Sequence, residues 1–468
     1  MTDDRLQHCG PIESWEADGP RFTARHRQGL SRIDVVADDI LRVRFSPLGQ
    51  LAPRRSWDPV AELGPAGLQV SQTGEALRLD SGSIQVVLDR ATGALAFFGA
   101  GGLAFAQDLG GPGWRELDVR ETMFEHTPEP ELPPGAGRTG LFLDKLIPPE
   151  EAYFGFGQRT GGLDRRHRRL THWNLDPCSP GVPMGYDSLY QTHPVFLAAR
   201  PGIAWGLYLH SSWYSAFDVG AANEQTLSLF TLGGELDYYL LAGPTPAAVV
   251  EQLTRLTGRP ALPPLWAMGY HQSRWSYGSD EEVQAIATAF RKRGIPLDAI
   301  HLDIDYMDGF RVFTWDRERF PDPAASLRRL HKQGVRAVTI IDPGVKKELG
   351  AGYTAADEGV AGDHFIRAPD GTLFTGYVWP GEALFPDFSR ADTRRWWGDQ
   401  HAGLLAAGVD GIWCDMNEPS IVDRPFEVRG VRHSPVPLAT RQGAAEERAA
   451  EAETHNLYGY LMARAATE

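Results

Sequence analysis

The sequence predicts two domains of different class in series: a β-sandwich over residues 1–257, then the first half of a (β/α)8 TIM-type barrel over residues 258–468. Three observations carry this expectation. Before residue 258, apolar and polar side chains alternate in short runs separated by Gly- and Pro-rich punctuation, the pattern of half-buried antiparallel strands. After Gly258-Arg259-Pro260 the apolar period lengthens, and strand-like runs alternate with amphipathic helices, which implies a parallel sheet. No Gly-x-Gly-x-x-Gly follows the first of these runs, so a barrel is favoured over a dinucleotide-binding sheet.

In the first half, Leu41, Val43 and Phe45 alternate with Arg42 and Arg44. Ile84, Val86 and Leu88 repeat the pattern and end at the turn Asp89-Arg90-Ala91-Thr92-Gly93. Runs at 203–209 and 225–232 continue it, and Pro128–Gly140 reads as a loop. In the second half a strand is expected at 266–271. A helix over 279–294 follows, capped by Ser279 with Glu282 three residues on. Its apolar face is Val283, Ile286, Ala287 and Phe290. Further strands are expected at 299–304, 336–341 and 411–416, with helices near 324–333 and 392–407. Gly294, Gly334 and Gly408 supply the helix stops. A large insertion follows the third strand. This makes four βα units.

Composition narrows the function. The chain has 468 residues, 42% hydrophobic and 23% charged, enough to bury a core without disulfide or metal staples. Its net charge of −15 and the lack of any basic tract longer than Arg165-Arg166-His167-Arg168-Arg169 speak against nucleic acid and anionic membrane as partners. No apolar run approaches the ~18 residues of a membrane span. Cys9, Cys178 and Cys414 are too far apart in sequence for a Cys-x-x-Cys metal site or a disulfide framework. Met1–Trp15 shows no apolar signal segment, so a cytoplasmic location is expected. Oligomeric state is left open.

Acids gather at the strand ends: Asp303 and Asp305 after the second strand, Asp342 after the third, Asp415 and Glu418 after the fourth. The carboxyl ends of barrel strands carry the chemistry in this architecture. One such Asp is most often a helix cap; three in register point to a site, because crowded like charges are costly unless something binds them. His271 and His301 are read as lone structural residues, so the pattern does not suit a metal. A sugar suits it better: carboxylates accept hydrogen bonds from hydroxyls, and Trp275, Trp379 and Trp413 lie beside the acids to stack on a ring. No metal and no cofactor is expected.

The run Gly411-Ile412-Trp413-Cys414-Asp415-Met416-Asn417-Glu418-Pro419-Ser420 resembles the nucleophile signature of glycoside hydrolase family 31, the α-glucosidase family. His301–Asp308 is similar to its second-strand motif. Residues 266–275, Ile341-Asp342-Pro343, Val378-Trp379-Pro380-Gly381 and His455–Gly459 also fit, and Phe154–Asp176 resembles part of the family's N-terminal, galactose-mutarotase-like domain. The resemblance runs from about residue 30 onward.

That resemblance implies retaining hydrolysis of terminal α-linked glucose from oligosaccharides or α-glucosides. It makes Asp415 the nucleophile and Asp303 the carboxylate holding hydroxyls of the −1 sugar. It makes Trp275, Ile340, Trp379, Trp413 and Met416 pocket walls, and Asp176 a loop residue reaching over the barrel mouth. Glu418 joins the catalytic set as an organiser rather than the proton donor, since strand alternation would aim it away from the face of Asp415. Cys414 reads as packing and His455 as structural. Two other readings stay alive: a non-catalytic carbohydrate-binding remnant, and another family activity such as α-xylosidase or α-transglucosylase. The family's acid/base sits in a Gly-Asp-Asn-type motif, and none lies between Glu418 and Glu468. The sequence is therefore expected to be the N-terminal portion of a longer enzyme and inactive alone.

Overall fold

The computed structural model of the chain describes residues 5–468 except 56, 58, 59, 61–66, 118–138, 180–186 and 445–447. The chain folds into two compact units: residues 1–174 with 185–259, and residues 175–184 with 260–468.

In the first unit, short runs with one apolar edge pair into three antiparallel sheets. The largest is ordered Ala152–Gly155, Val195–Arg200, Ile203–Leu209, Leu236–Gly243, Ile40–Ser46, Leu30–Ala37, Arg21–His26, Ile12–Asp18. A second contains Thr139–Leu146, Thr226–Leu232, Ser215–Val219 and Arg168–His172, and a third Leu95–Phe98, Gln85–Asp89 and Ala76–Asp80. The alternating Leu41, Val43 and Phe45, and likewise Val86 and Leu88, point into one shared core with Leu141, Leu143, Phe196, Trp205 and Tyr238. Period two is what lets each strand put one edge into that core. The Asp89–Gly93 turn closes as expected, with the Ala91 and Thr92 N–H groups donating to Asp89 Oδ1 at 2.9 Å each. The expected Pro128–Gly140 loop lies outside the described residues as far as 138; Thr139 already opens a strand.

One ion pair sits inside this core. Lys145 Nζ is 2.5 Å from Asp108 Oδ1, with side chains 0% and 1% exposed. The ammonium lies over the rings of Phe97 at 5.3 Å and Tyr238 at 5.1 Å. Asp108 Oδ2 accepts the Leu95 N–H at 3.0 Å. Lys145, Leu95 with Phe97, and Tyr238 come from the three different sheets, so the pair ties them together. Burial pushes the Asp108 carboxyl up, and Lys145 opposes the shift.

In the second unit a parallel sheet, among the described residues, is ordered β1 (His271–Gln272), β2 (Ala299–Leu302), β3 (Arg336–Ile341) and β4 (Gly411–Cys414). Helices α1 (Asp280–Lys292) and α2 (Pro323–Lys332) connect the first three strands. Ser279 caps α1 by accepting the Glu282 N–H at 3.3 Å, and Glu282 Oε2 returns the bond one residue earlier than a capping box would, at the Gly278 N–H, 2.8 Å. Gly334 (φ +81°) and Gly408 (φ +105°) end their helices in the left-handed region.

Several elements differ from expectation. The strands expected at 299–304 and 411–416 end at Leu302 and Cys414. The strand expected at 266–271 is only His271–Gln272, preceded by a 3₁₀ turn at Leu265–Met268. Pro263 and Pro264 cannot donate to a ladder, and Asp298 Oδ2 holds the Tyr270 N–H at 2.9 Å. The helix near 392–407 is two, α3 (Ala391–Gln400) and α4 (Ala402–Ala407). At the break the His401 N–H bonds the Gly398 carbonyl at 3.1 Å, three residues back, while its Nδ1 bonds the Trp397 carbonyl at 2.9 Å.

Asp108→Ala should destabilise the first unit by ~3–5 kcal/mol, because it strands a buried ammonium, and the pair Asp108→Leu with Lys145→Met should recover most of the loss. Denaturant unfolding of the single and double variants measures both.

Candidate active site

Register builds the site. In the parallel ladder His301 aligns with Val338, Val338 with Gly411, and Ile340 with Trp413. Side chains two apart on a strand share a face. The face carrying His301, Ile340 and Trp413 therefore carries Asp303, Asp342 and Asp415 at the strand ends. The Asp415 N–H donates to the Ile341 carbonyl at 3.2 Å, extending the ladder to the acid.

The chain then turns sharply. Met416 lies in the left-handed region (φ +56°), at a cost of ~1–2 kcal/mol for a non-glycine residue, and its carbonyl accepts the Ser420 N–H at 3.1 Å. This turn corrects the expectation that Glu418 points away. Strand alternation does not continue through Met416, and Glu418 is 6% exposed among the other acids. Its charge raises Asp342, and Asp176 and Asp415 raise it.

All four carboxyls are pushed up, first by burial. Asp303, 9% exposed, is raised by burial and by Asp305, against the Ile304 N–H that its Oδ1 accepts at 2.8 Å. Asp303 is thus also a cap, for the 3₁₀ turn Ile304–Tyr306. Asp342, 5% exposed, is raised well above the ordinary carboxyl range, by burial and then by Asp415, Asp303 and Glu418. Asp415 is raised by burial, Asp303 and Asp176, and lowered by the Met416 N–H. Glu418 is pushed up to about 7. Among the described residues, Asp342 Oδ1 and Glu418 Oε2 are buried with no hydrogen-bond partner. Two unsatisfied acceptors in one acidic cluster mark a surface built for donors.

Asp176 belongs to this unit through the segment 175–184. Its Oδ2 accepts from Ser179 Oγ and Ser420 Oγ, each at 3.2 Å; the two hydroxyls are 2.8 Å apart, and the Cys178 N–H reaches Oδ1 at 2.8 Å. Nothing in the sequence pattern singled out the Ser179–Ser420 link, because its partners are 241 positions apart. His433 was likewise missed. It faces Asp176 and His455, and burial pushes it down to about 4.

The remaining candidates fall in two places. Trp275, 69% exposed, lies 5.6 Å from Trp379. Ile340 is buried with its carbonyl accepting from Tyr306 Oη at 2.9 Å, and half-buried Trp413 lies edge-on to His301 at 5.9 Å. His271 and His301 are not lone residues: His271 Nδ1 and His301 Nε2 are 3.0 Å apart, and His271 Nε2 reaches the Trp266 carbonyl at 3.3 Å. That carbonyl can only accept, so His271 donates through Nε2. Burial and His271 keep His301 low and neutral. Cys414 is pushed up to about 11 by burial and Asp415, which keeps it a thiol. His455 Nδ1 bonds buried Glu451 Oε1 at 3.2 Å. Among the described residues no group of three or more His, Cys, Asp or Glu is placed to hold a metal ion, and no helix is long and apolar enough to cross a membrane.

Residues 31–218 match the glycosyl hydrolase 31 N-terminal galactose mutarotase-like domain, and residues 260–468 the glycosyl hydrolases family 31 TIM-barrel domain. Alpha-glucosidase 2 of Bacillus thermoamyloliquefaciens is 36% identical over 440 residues, 93% of this chain and 52% of that protein. An alpha-glucosidase of Hordeum vulgare is 34% identical over 492 residues, 99% of this chain and 49% of that protein. The chain spans about half the length of the curated relatives it matches. In fold it is similar to a family 31 dextranase of Flavobacterium johnsoniae solved with isomaltotriose, with TM-score 0.81 and 22% identity over 98% of this chain and 53% of that one.

The acid cluster should show in stability against pH. Glu418 has its ordinary 4.5 raised to about 7 on folding. The folded state therefore holds the extra proton between those values, and stability falls as pH rises through that window. Glu418→Gln should flatten this slope, by up to ~3 kcal/mol across the window, as read from denaturant midpoints at successive pH values. An unchanged slope would show that Glu418 titrates normally.

Proposed function

The chain belongs to glycosyl hydrolase family 31, and from that premise we propose that it carries the nucleophile half of a retaining α-glucosidase site. The observation that carries the proposal is the buried carboxylate cluster at the ends of β2, β3 and β4. Asp415 is the member on the strand that ends in the family signature, and its half-buried position leaves it accessible. Attack of its Oδ on the anomeric carbon of an α-glucosyl fluoride forms a β-glycosyl ester as the C1–F bond breaks and fluoride leaves; with an alkyl α-glucoside the C1–O bond breaks instead, and the leaving oxygen takes its proton from the acid/base of the family's Gly-Asp-Asn-type motif. Asp303 and Asp342 offer acceptors to the sugar hydroxyls, and the orphaned Asp342 Oδ1 gains a donor when sugar binds. The relatives at 36% and 34% identity are alpha-glucosidases, which favours glucose over xylose as the glycosyl unit and hydrolysis over transfer.

Glu418 acts here as an organiser. Its raised pKa keeps much of it protonated near neutrality, so it sits beside Asp415 without adding a full second charge. The reaction draws on carboxylates alone and needs no metal.

A 5-fluoro-α-glucosyl fluoride tests the nucleophile directly, because fluoride leaves without a proton donor. Peptide mapping of the treated chain should find the glycosyl adduct on Asp415, with or without a chelator, and no adduct in Asp415→Ala. An adduct elsewhere, or the same adduct rate in the variant, would overturn the assignment; no adduct at all would favour a carbohydrate-binding remnant.

Glu418→Gln separates the two roles open to that residue. As an organiser it should slow adduct formation from 5-fluoro-α-glucosyl fluoride, by ~10²-fold or less. An unchanged adduct rate would remove the organising role and leave Glu418 the leaving-group proton, which fluoride does not need.

A further inference from the structure

Phe426 was not singled out by any sequence pattern, yet it stacks on Trp379 with centroids 4.7 Å apart and planes at 19°. Trp275 leans on the same indole at 5.6 Å and 38°. With one face covered by Phe426, the Trp379 ring cannot shift toward that side, and the position of the wall it presents is set by the phenyl ring. Trp275, 69% exposed, continues the aromatic surface outward.

The support for Phe426 comes from the nucleophile's own loop. The Tyr377 N–H donates to the Val422 carbonyl at 3.1 Å, and the Val422 N–H donates back at 3.0 Å. Val422 also bridges His433. Tyr377 lies two residues before Trp379, and Val422 lies four before Phe426. The segment that begins at Asp415 and is pinned to Asp176 through Ser420 therefore delivers, at its far end, the ring that seats Trp379.

We propose that Phe426 is a positioning residue that fixes Trp379 and Trp275 as one aromatic shelf for the aglycone, the class of leaving group favoured being one with a flat apolar face, an aryl group or a second pyranose ring. The proposal rests on the carbohydrate reading above and deepens it. Stacking is the recognition chemistry, since an aromatic face gains from offset contact with another flat apolar surface beyond plain burial.

Two measurements test it. In the chain labelled with 5-fluorotryptophan, the Trp379 fluorine resonance is identified by its loss in Trp379→Phe. Phe426→Leu should shift and broaden it, and Phe426→Tyr should restore it; an unmoved resonance in Phe426→Leu overturns the seating role. In titrations with hydrolysis-resistant p-nitrophenyl 1-thio-α-glucoside and with methyl α-glucoside, Phe426→Leu should weaken the aryl ligand about fivefold, the order of one aromatic contact, and leave the methyl glucoside unchanged. Equal weakening of both ligands, or none, overturns the shelf. Failure of either glucoside to bind the unaltered chain would overturn the carbohydrate reading together with the shelf's ligand, while the fluorine signal still decides whether Phe426 seats Trp379.

Discussion

Parallel pairing of β3 with β4 sets Ile340 beside Trp413, and with that register every strand-end acid falls on one face. Side-chain direction alternates strictly along a strand, so a slip of one residue would send Asp415 to the helix side and separate it from Asp342 and Asp303. Loss of water raises each of the three carboxyls first, and neighbouring acids add to it: Asp305 for Asp303, Asp415 with Asp303 for Asp342, and Asp303 for Asp415. The site therefore exists at the expense of local stability, which the surrounding ladder must supply.

The same register ends at Met416, and the turn there decides the rest. Its left-handed backbone folds Glu418 into the cluster and carries Ser420 to Asp176. It also starts the loop that meets Tyr377 and ends at Phe426. Behind the loop, Gly459 approaches Asn417 so closely that a Cβ would lie 3.1 Å from the Asn417 carbonyl oxygen, a tight contact that would ask the loop to give by a few tenths of an ångström. One loop thus links Asp415, Glu418 and the stack of Phe426 on Trp379.

The two units bury charge in opposite ways. In the first, Lys145 and Asp108 neutralise each other and both Asp108 oxygens have partners. In the second, acids are buried together and, among the described residues, two of their oxygens have no partner. A buried charge with its partners supplied by the fold stabilises that fold or costs it little; acids buried together without partners persist where a ligand's donors complete them.

Much of this was legible in the chain. Period-two runs marked the sandwich strands, the βα alternation marked the parallel sheet, and Asp303, Asp342 and Asp415 stood at the strand ends because apolar periodicity locates those ends within a residue or two. The resemblance to the family signature drew attention to Asp415 among them. What the sequence could not carry were contacts between residues distant in order. The His271–His301 pair, the Asp176–Ser179–Ser420 link and the stack of Phe426 on Trp379 join side chains from separate segments, and no local spacing encodes them. Glu418 shows the boundary most clearly: alternation aimed it outward, but a single positive φ at Met416 reversed it. Local pattern determines which elements form and which way they face, since that depends on side chains three or four positions apart at most. Where a turn places its residues depends on what the rest of the unit packs against it, and only the tertiary structure decided that.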